Sequence, residues 1–349
     1  MIKLLIKQPP FLFGITVLIL LLVGSFAYEP FIEPTLPEPV KVLYDENKYP
    51  YDNVPFEPSL QYPFGSDLEG KNYIYSILQG AKYTIGLAII ISVARVFVSI
   101  LASIIIYLLP QRFFQFFKGI SDAYHYAPIS LFGYFLVAPA LVVFSWTYSD
   151  AVKITLLATV AILLAFPIIT IYLVNEMYQL KQNEFIQASE LLGANRLRII
   201  VKHYSAHLKP KIVVVFIQQV GQVLTLFAHL GLFEIFIGGM KKLVMDYDDY
   251  GNPILKTFTL GNEWGGLIAI HWNEIISSPW LVFGPVAAFA LVILCVNLII
   301  AGINNVNGID VQKQVKVEAV AANITNLDRT GFQFIQQGHD ISSLKEKEG

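Results

Sequence analysis

Gln218, Gln222, Thr225 and His229 interrupt a largely apolar run, residues 212–238, at successive spacings of four, three and four. On a helix, at 100° per residue, these four lie within about 60° of one another on a single stripe. Carboxamide, hydroxyl and imidazole groups in an apolar setting have two uses: hydrogen bonding to neighbouring helices, or lining a wet path for a polar solute. The residue types alone leave both open. Other polar groups carry less chemistry. His125, His203, His207 and His271 show no metal-ligand spacing with cysteine or carboxylates, and no phosphate-cradling GxxxxGK[ST] occurs, so the chain does not hydrolyse ATP itself. Asp246, Asp248 and Asp249 lack the ligand spacing of a calcium loop and run into the turn signal Tyr250-Gly251-Asn252-Pro253, which reads as a solvated hairpin. Cys295 is the only cysteine and lies in an apolar run, which excludes a disulfide framework and a thiol metal site. Arg95, half-way along another apolar run, must turn inward, and a structural ion pair is the expected role.

Residues 181–210 form the other polar stretch of interest. Phe185, Ala188, Ser189 and Leu192 share one helical face, with Glu184, Gln187 and Glu190 along a polar edge. Gly193 suits the C′ position that ends such a helix, because glycine takes the left-handed conformation without a Cβ penalty. A second short helix is expected to start near Asn195. By periodicity alone this is a solvated connector between two apolar runs.

The elements that must position these residues follow from composition. Of 349 residues 55% are hydrophobic and 14% charged, and mean hydropathy is +0.58. A soluble domain has roughly 45–50% apolar and about 25% charged residues, so the chain is an integral membrane protein with lipid as its solvent. Residues 11–27, 83–109, 123–144, 151–174, 212–238 and 279–303 are each long enough, or nearly so, for a helix to cross a hydrocarbon core of about 30 Å. Helices are the expected form because each span must satisfy its own backbone, and no alternating ten-residue pattern suggests a barrel. The prediction is an all-α protein of six transmembrane helices. Between the spans, fifteen Lys and Arg lie on the side of the N-terminus and the 181–210 stretch, against eight on the other. Both termini and the central loop are therefore expected in the cytoplasm. The run after Lys3 and Lys7 has signal-peptide features, but a retained first span agrees better with the charge count. The expected division is an N-terminus and first span (1–27), an extracytoplasmic loop (28–82), a five-helix core (83–305) containing the central loop (176–211), and a cytoplasmic tail (306–349).

Several short strings follow this order of spans. Tyr62-Pro63-Phe64-Gly65-Ser66-Asp67-Leu68-Glu69-Gly70-Lys71 is turn punctuation with Ser66 or Asp67 as a candidate helix cap. It also resembles the His-Pro-Leu-Gly-Thr-Asp-x-x-Gly-Arg segment before the second span in permeases of the dipeptide and oligopeptide ABC importers. Ser121-Asp122 with Pro128 is similar to that family's Val-Asp-x-x-x-x-x-Pro. The central stretch is similar to its EAA loop, and Glu263-Trp264-Gly265-Gly266 and Ser278-Pro279-Trp280 with Pro285 resemble its Ser-Trp-Gly and Ala-Pro-Trp strings. The resemblance spans about residues 1 to 305. The chain departs from it where Gln187-Ala188-Ser189 stands for Glu-Ala-Ala, and where His203-Tyr204-Ser205-Ala206 stands for Ile-x-Leu-Pro. Residues 241–260 and the tail have no counterpart.

The resemblance implies a type I ABC importer permease fold of a prokaryotic cytoplasmic membrane, with a coupling helix in the central loop. It implies a peptide substrate and four partners: a second permease chain, two cytoplasmic ATPases and an extracytoplasmic substrate-binding protein. No cofactor is expected on this chain, since ATP and Mg belong to the ATPases, and no nucleic-acid partner is expected. Glu184, Phe185, Gln187, Ala188, Ser189, Leu192 and Gly193 become the expected ATPase contact. Gln218, Gln222, Thr225 and His229 become the expected translocation path. Import of another small solute, such as a nickel chelate or opine, is an alternative, as is a non-transporting membrane sensor or anchor.

Overall fold

The computed structural model describes residues 2–44, 50–123, 128–143, 147–235, 240–247, 253–259 and 261–306. The expected tail beyond residue 306 lies outside the described residues, as do His125, Asp248 and Asp249. Five helical stretches are long and apolar enough to cross a membrane: Pro9–Thr35, Tyr73–Leu108, Asp150–Lys181, Arg196–Leu232 and Trp280–Val306. In place of the third expected span stands a shorter apolar helix, Ile129–Leu141. It follows Pro128, which occupies the cap position, and passes at Pro139 into a π-helical turn.

In chain order the helices are α1 (Ile2–Leu5), α2 (Pro9–Ala27), α3 (Tyr73–Leu108), α4 (Gln111–Ala123), α5 (Ile129–Ala138), α6 (Asp150–Lys181), α7 (Glu184–Leu191), α8 (Arg196–Ile199), α9 (Ser205–Leu232), α10 (Trp264–His271) and α11 (Trp280–Val306). Two small antiparallel hairpins complete the described elements. Strand β1 (Val42–Tyr44) pairs with β2 (Pro50–Asn53), and β3 (Met240–Tyr247) pairs with β4 (Pro253–Thr259). The second pairing agrees with the hairpin read from the Tyr250-Gly251-Asn252-Pro253 turn signal. The chain divides into a small unit, Met1–Leu12 with Ala301–Gly349, and a large one, Phe13–Ile300. Within the small unit Gly302 lies against Phe11, where a Cβ would come within 2.7 Å of the Phe11 Cβ.

In the large unit α3 is the central helix, touching α4, α6, α9 and α10. Its buried face is built from small and weakly polar residues, among them Gly80, Ala81, Thr84, Ala88, Ser92, Ser99 and Ser103. Lipid tails are as apolar as leucine, so helix association here rests on close packing and interhelical hydrogen bonds. Small residues permit the first and hydroxyls the second. Ser92 and Ser99 donate to the carbonyls of Ala88 and Arg95, one turn back, and so cost nothing in unsatisfied polarity. The opposite face, with Ile90, Val93, Phe97, Leu101 and Ile105, is exposed.

Two of the weak sequence strings meet in space. Asp67 accepts the amides of Glu69 and Lys71 at 2.9 Å, closing a turn that is glycine-dependent at Gly65 and Gly70, with φ of 71° and 86°. Burial pushes the Asp67 carboxyl above its ordinary pKa, against the opposing pull of those two amides. The helix cap itself is Asn72, whose side chain accepts the Ile74 amide, rather than Ser66 or Asp67. Gly65 abuts the indole of Trp280, which hydrogen-bonds weakly to the Ser66 carbonyl, and Tyr73 donates to the Leu281 carbonyl at 2.6 Å. The turn before α3 is thus seated on the start of α11. Trp264 likewise ties α10 to α3, its backbone amide donating to Thr84 and its indole to the Ile77 carbonyl.

Gly80 offers a direct check on this packing, because a Cβ there would lie 1.8 Å from the Asn262 carbonyl oxygen, whereas one at Gly86 would meet nothing within 4 Å. Overpacking costs about 1–3 kcal/mol, so Gly80→Ala is expected to lower the thermal unfolding midpoint of the purified protein and Gly86→Ala to leave it unchanged or raise it. Equal midpoints for the two variants would show that this helix contact is not close-packed.

Candidate functional site

The polar stripe of α9 faces a cavity of about 820 Å³ bounded by α3, α5, α6, α9 and α11. Gln218, Gln222, Thr225 and His229 all line it. Thr225 donates to the Gly221 carbonyl of its own helix at 2.9 Å. Gln218, Gln222 and His229 are exposed and hydrogen-bond to no other described residue. Hydrogen bonding between helices, one of the two uses open to such a stripe, is therefore not made by these three among the described residues. Asn297 of α11 and Ser130 of α5 add further polar groups, while Ile168, Ile169 and Ile293 supply apolar wall. Asn297 was not singled out by sequence reasoning, since a lone Asn in an apolar run has no periodic partner.

Arg95 also borders this cavity. It is 2% exposed and forms no ion pair among the described residues, contrary to the structural ion pair expected from the sequence. Its Nε donates to the Ala161 carbonyl at 2.9 Å and its Nη1 to the Gln219 carboxamide oxygen at 3.2 Å. The charge is met by two neutral acceptors, one each from α6 and α9. Sequence reasoning missed Gln219 because it lies one residue off the stripe, on the side of α9 that faces α3.

The central loop holds one separate short helix between two long helical stretches. After α6 the chain turns through Gln182 and Asn183 into α7, which ends where Gly193 adopts φ of 81°, as its expected C′ role requires. Asn195 caps the next helix, accepting the Leu197 amide. That helix does not stop: α8, a π-helical turn over Ile200–Tyr204 and α9 run on as one 37-residue stretch, Arg196–Leu232. At 1.5 Å per residue it is about 55 Å long, well beyond a hydrocarbon core.

Helix α7 is fixed from one side only. Ile186, 0% exposed, inserts among Tyr107, Met177, Ile199, Ile200, Tyr204 and Leu208. Beneath it the hydroxyls of Tyr107 and Tyr204 lie 2.9 Å apart, joining α3 to the base of α9. Glu184, Phe185, Gln187, Ala188 and Leu192 all face outward, and Ser189 is half-buried and donates to the Phe185 carbonyl. Leu191 and Leu192 are each 89% exposed. The Gln187 amide donates to the Gln182 carbonyl, and Glu190 pairs with Lys181 at 3.9 Å. Sequence reasoning identified the outward face but not Ile186, the residue that holds the helix in place. Among the described residues, no group of three or more His, Cys, Asp or Glu side chains is arranged to hold a metal ion.

The central loop and every described residue of the cavity wall except Arg95 fall within residues 96–307, which match the model of a family described as binding-protein-dependent transport system inner membrane components. The match covers 212 of the 349 residues. The chain belongs to that family. No individual curated protein matches it. It is a multi-pass membrane permease of the ABC type, a transport subunit of a kind that is generally not itself an enzyme. Membership implies a substrate-binding protein, an ATPase and a partner permease.

If the stripe serves transport, removing its polarity without creating a hole must be felt there. Gln222→Leu and His229→Leu are expected to lower solute uptake by the assembled transporter while leaving subunit co-purification intact, since neither side chain hydrogen-bonds to another described residue. Normal uptake in both would assign the stripe no part in transport.

Proposed function

We propose that the chain is a permease subunit of a peptide importer and that the loop around Gly193 couples it to its ATPases. It would pair with a second permease chain, two cytoplasmic ATPases and an extracytoplasmic peptide-binding protein. The observation that carries the reading is the cavity: Gln218, Gln222 and Asn297 offer carboxamides, each both donor and acceptor, and so complement a peptide bond in a space of about 820 Å³. That volume lies in the range of about 300–1,000 Å³ usual for small-molecule sites. The strings shared with dipeptide and oligopeptide permeases support the same substrate class.

Coupling is proposed to run through α7. Its outward face, with Phe185, Ala188, Leu191 and Leu192 beside Glu184 and Gln187, is an exposed apolar patch with a polar rim, the kind of surface that seats in a partner. Closure of the ATPase pair on ATP would move α7. Because Ile186 locks α7 to the base of α9, that displacement would pass to the long α8–α9 helix and change the side to which the cavity opens. With the loop on the ATPase side, both termini would be cytoplasmic.

Three substitutions test coupling. Ala188→Glu buries a charge in the proposed groove, and Gly193→Val meets no neighbour within 4 Å but forces a β-branched residue to positive φ. Both are expected to reduce ATPase co-purification and to uncouple hydrolysis from uptake in proteoliposomes. Gln187→Glu restores the family's charge, and an altered ATPase affinity is expected from it in either direction. Normal coupling in both Ala188→Glu and Gly193→Val would make the loop a passive connector.

Topology has its own test. Single cysteines at Asn53 and Gln337 are expected to react with an impermeant thiol reagent from outside the cell at position 53 only. Reaction at 337 without 53 would invert the orientation.

A further inference from the structure

We propose that Arg95 makes the cavity a carboxylate subsite, so that the solute it admits carries an anionic carboxylate held by the Arg95 guanidinium. For the peptide importer proposed above, on which the substrate identity rests, this is the free C-terminus. A guanidinium has five N–H donors in a planar fork. Two are used, by the Ala161 carbonyl and the Gln219 oxygen. Nη2 forms no hydrogen bond to any described residue, yet it is not among the buried polar atoms sealed without a partner. It therefore opens onto the cavity that Arg95 lines.

Charge supports the same assignment. None of the residues described around the cavity is Asp or Glu, and Arg95 is the one fixed charge among them. A cation that is 2% exposed and met only by neutral acceptors retains its full positive charge in a poorly solvated wall, where its attraction for an anion is far stronger than in water. A planar fork matched to a two-oxygen acceptor is the geometry of arginine–carboxylate recognition. Gln218, Gln222 and His229, which line the same cavity from α9, remain for the neutral part of the solute.

The purified, fully assembled transporter is tested with tri-alanine and its C-terminal amide, read both as a shift in thermal unfolding and as uptake into proteoliposomes. Wild type is expected to respond to the acid and about tenfold more weakly to the amide, the usual scale for losing a charge-assisted hydrogen bond. Gln219→Glu keeps an oxygen acceptor for Nη1 but neutralises Arg95 internally. It should abolish the preference for the acid over the amide, an outcome that a merely structural Arg95 would not produce. Arg95→Lys should keep a reduced preference. Equal thermal shifts for acid and amide in wild type, including none for either, would overturn the carboxylate subsite, as would a preference undiminished in Gln219→Glu. Failure of the peptide reading looks different: an acid-selective thermal shift with no uptake of tri-alanine would keep the subsite and exclude peptide import.

Discussion

A guanidinium half-way along a membrane helix cannot be left facing lipid, and the packing of α3, α6 and α9 is arranged around that constraint. Arg95 is satisfied only if the Ala161 carbonyl of α6 and the Gln219 side chain of α9 both reach it. The main-chain acceptor on α6 is available because residue 165, whose amide would otherwise be its only partner, leaves a second lone pair free. Small residues above and below Arg95 on α3 let the two helices come close enough. Three of the five helices that bound the cavity are thereby pinned to one another.

That pin has a counterpart at the end of the bundle where the central loop lies. There the Tyr107–Tyr204 hydroxyl contact and the cluster around Ile186 tie α3, α6, α7 and α9 together. Between the two, α9 runs without interruption past Pro210, its polar stripe on one side and its buried face on the other. A displacement of α7 has few places to be absorbed. The turn at Gln182 and Asn183 and the left-handed Gly193 bound α7, and Ile186 links that helix to the long rod.

What the sequence revealed of this arrangement was local. Hydropathy located the long helices because length and apolarity are properties of a single segment. Gly193 and Asn195 were legible as a helix stop and a helix start because positive φ and side-chain capping depend on the residue itself. The α9 stripe was legible through its period, and all four of its residues do line one cavity. Features set by distant neighbours were not legible. Arg95 pairs with neutral groups 66 and 124 residues away, which no charge pattern announces. Ile186 is inward only because the base of α9 is there to receive it, and the cap of α3 is Asn72 because Asp67 is engaged in closing its own turn. The shortened third apolar helix reflects Pro128 and Pro139, which bound the α-helical part of a longer apolar run.

The central claim is that the outward face of α7 is where this permease meets its ATPase. Site-specific photo-cross-linking in intact cells measures this most directly, with a photoreactive amino acid in place of Leu192, the cap residue of α7, which is 89% exposed. The account predicts one dominant adduct, a polypeptide bearing a GxxxxGK[ST] nucleotide-binding loop, with a yield that changes when cellular ATP is depleted. Adducts with lipid alone, or with no ATP-binding protein among them, would contradict it.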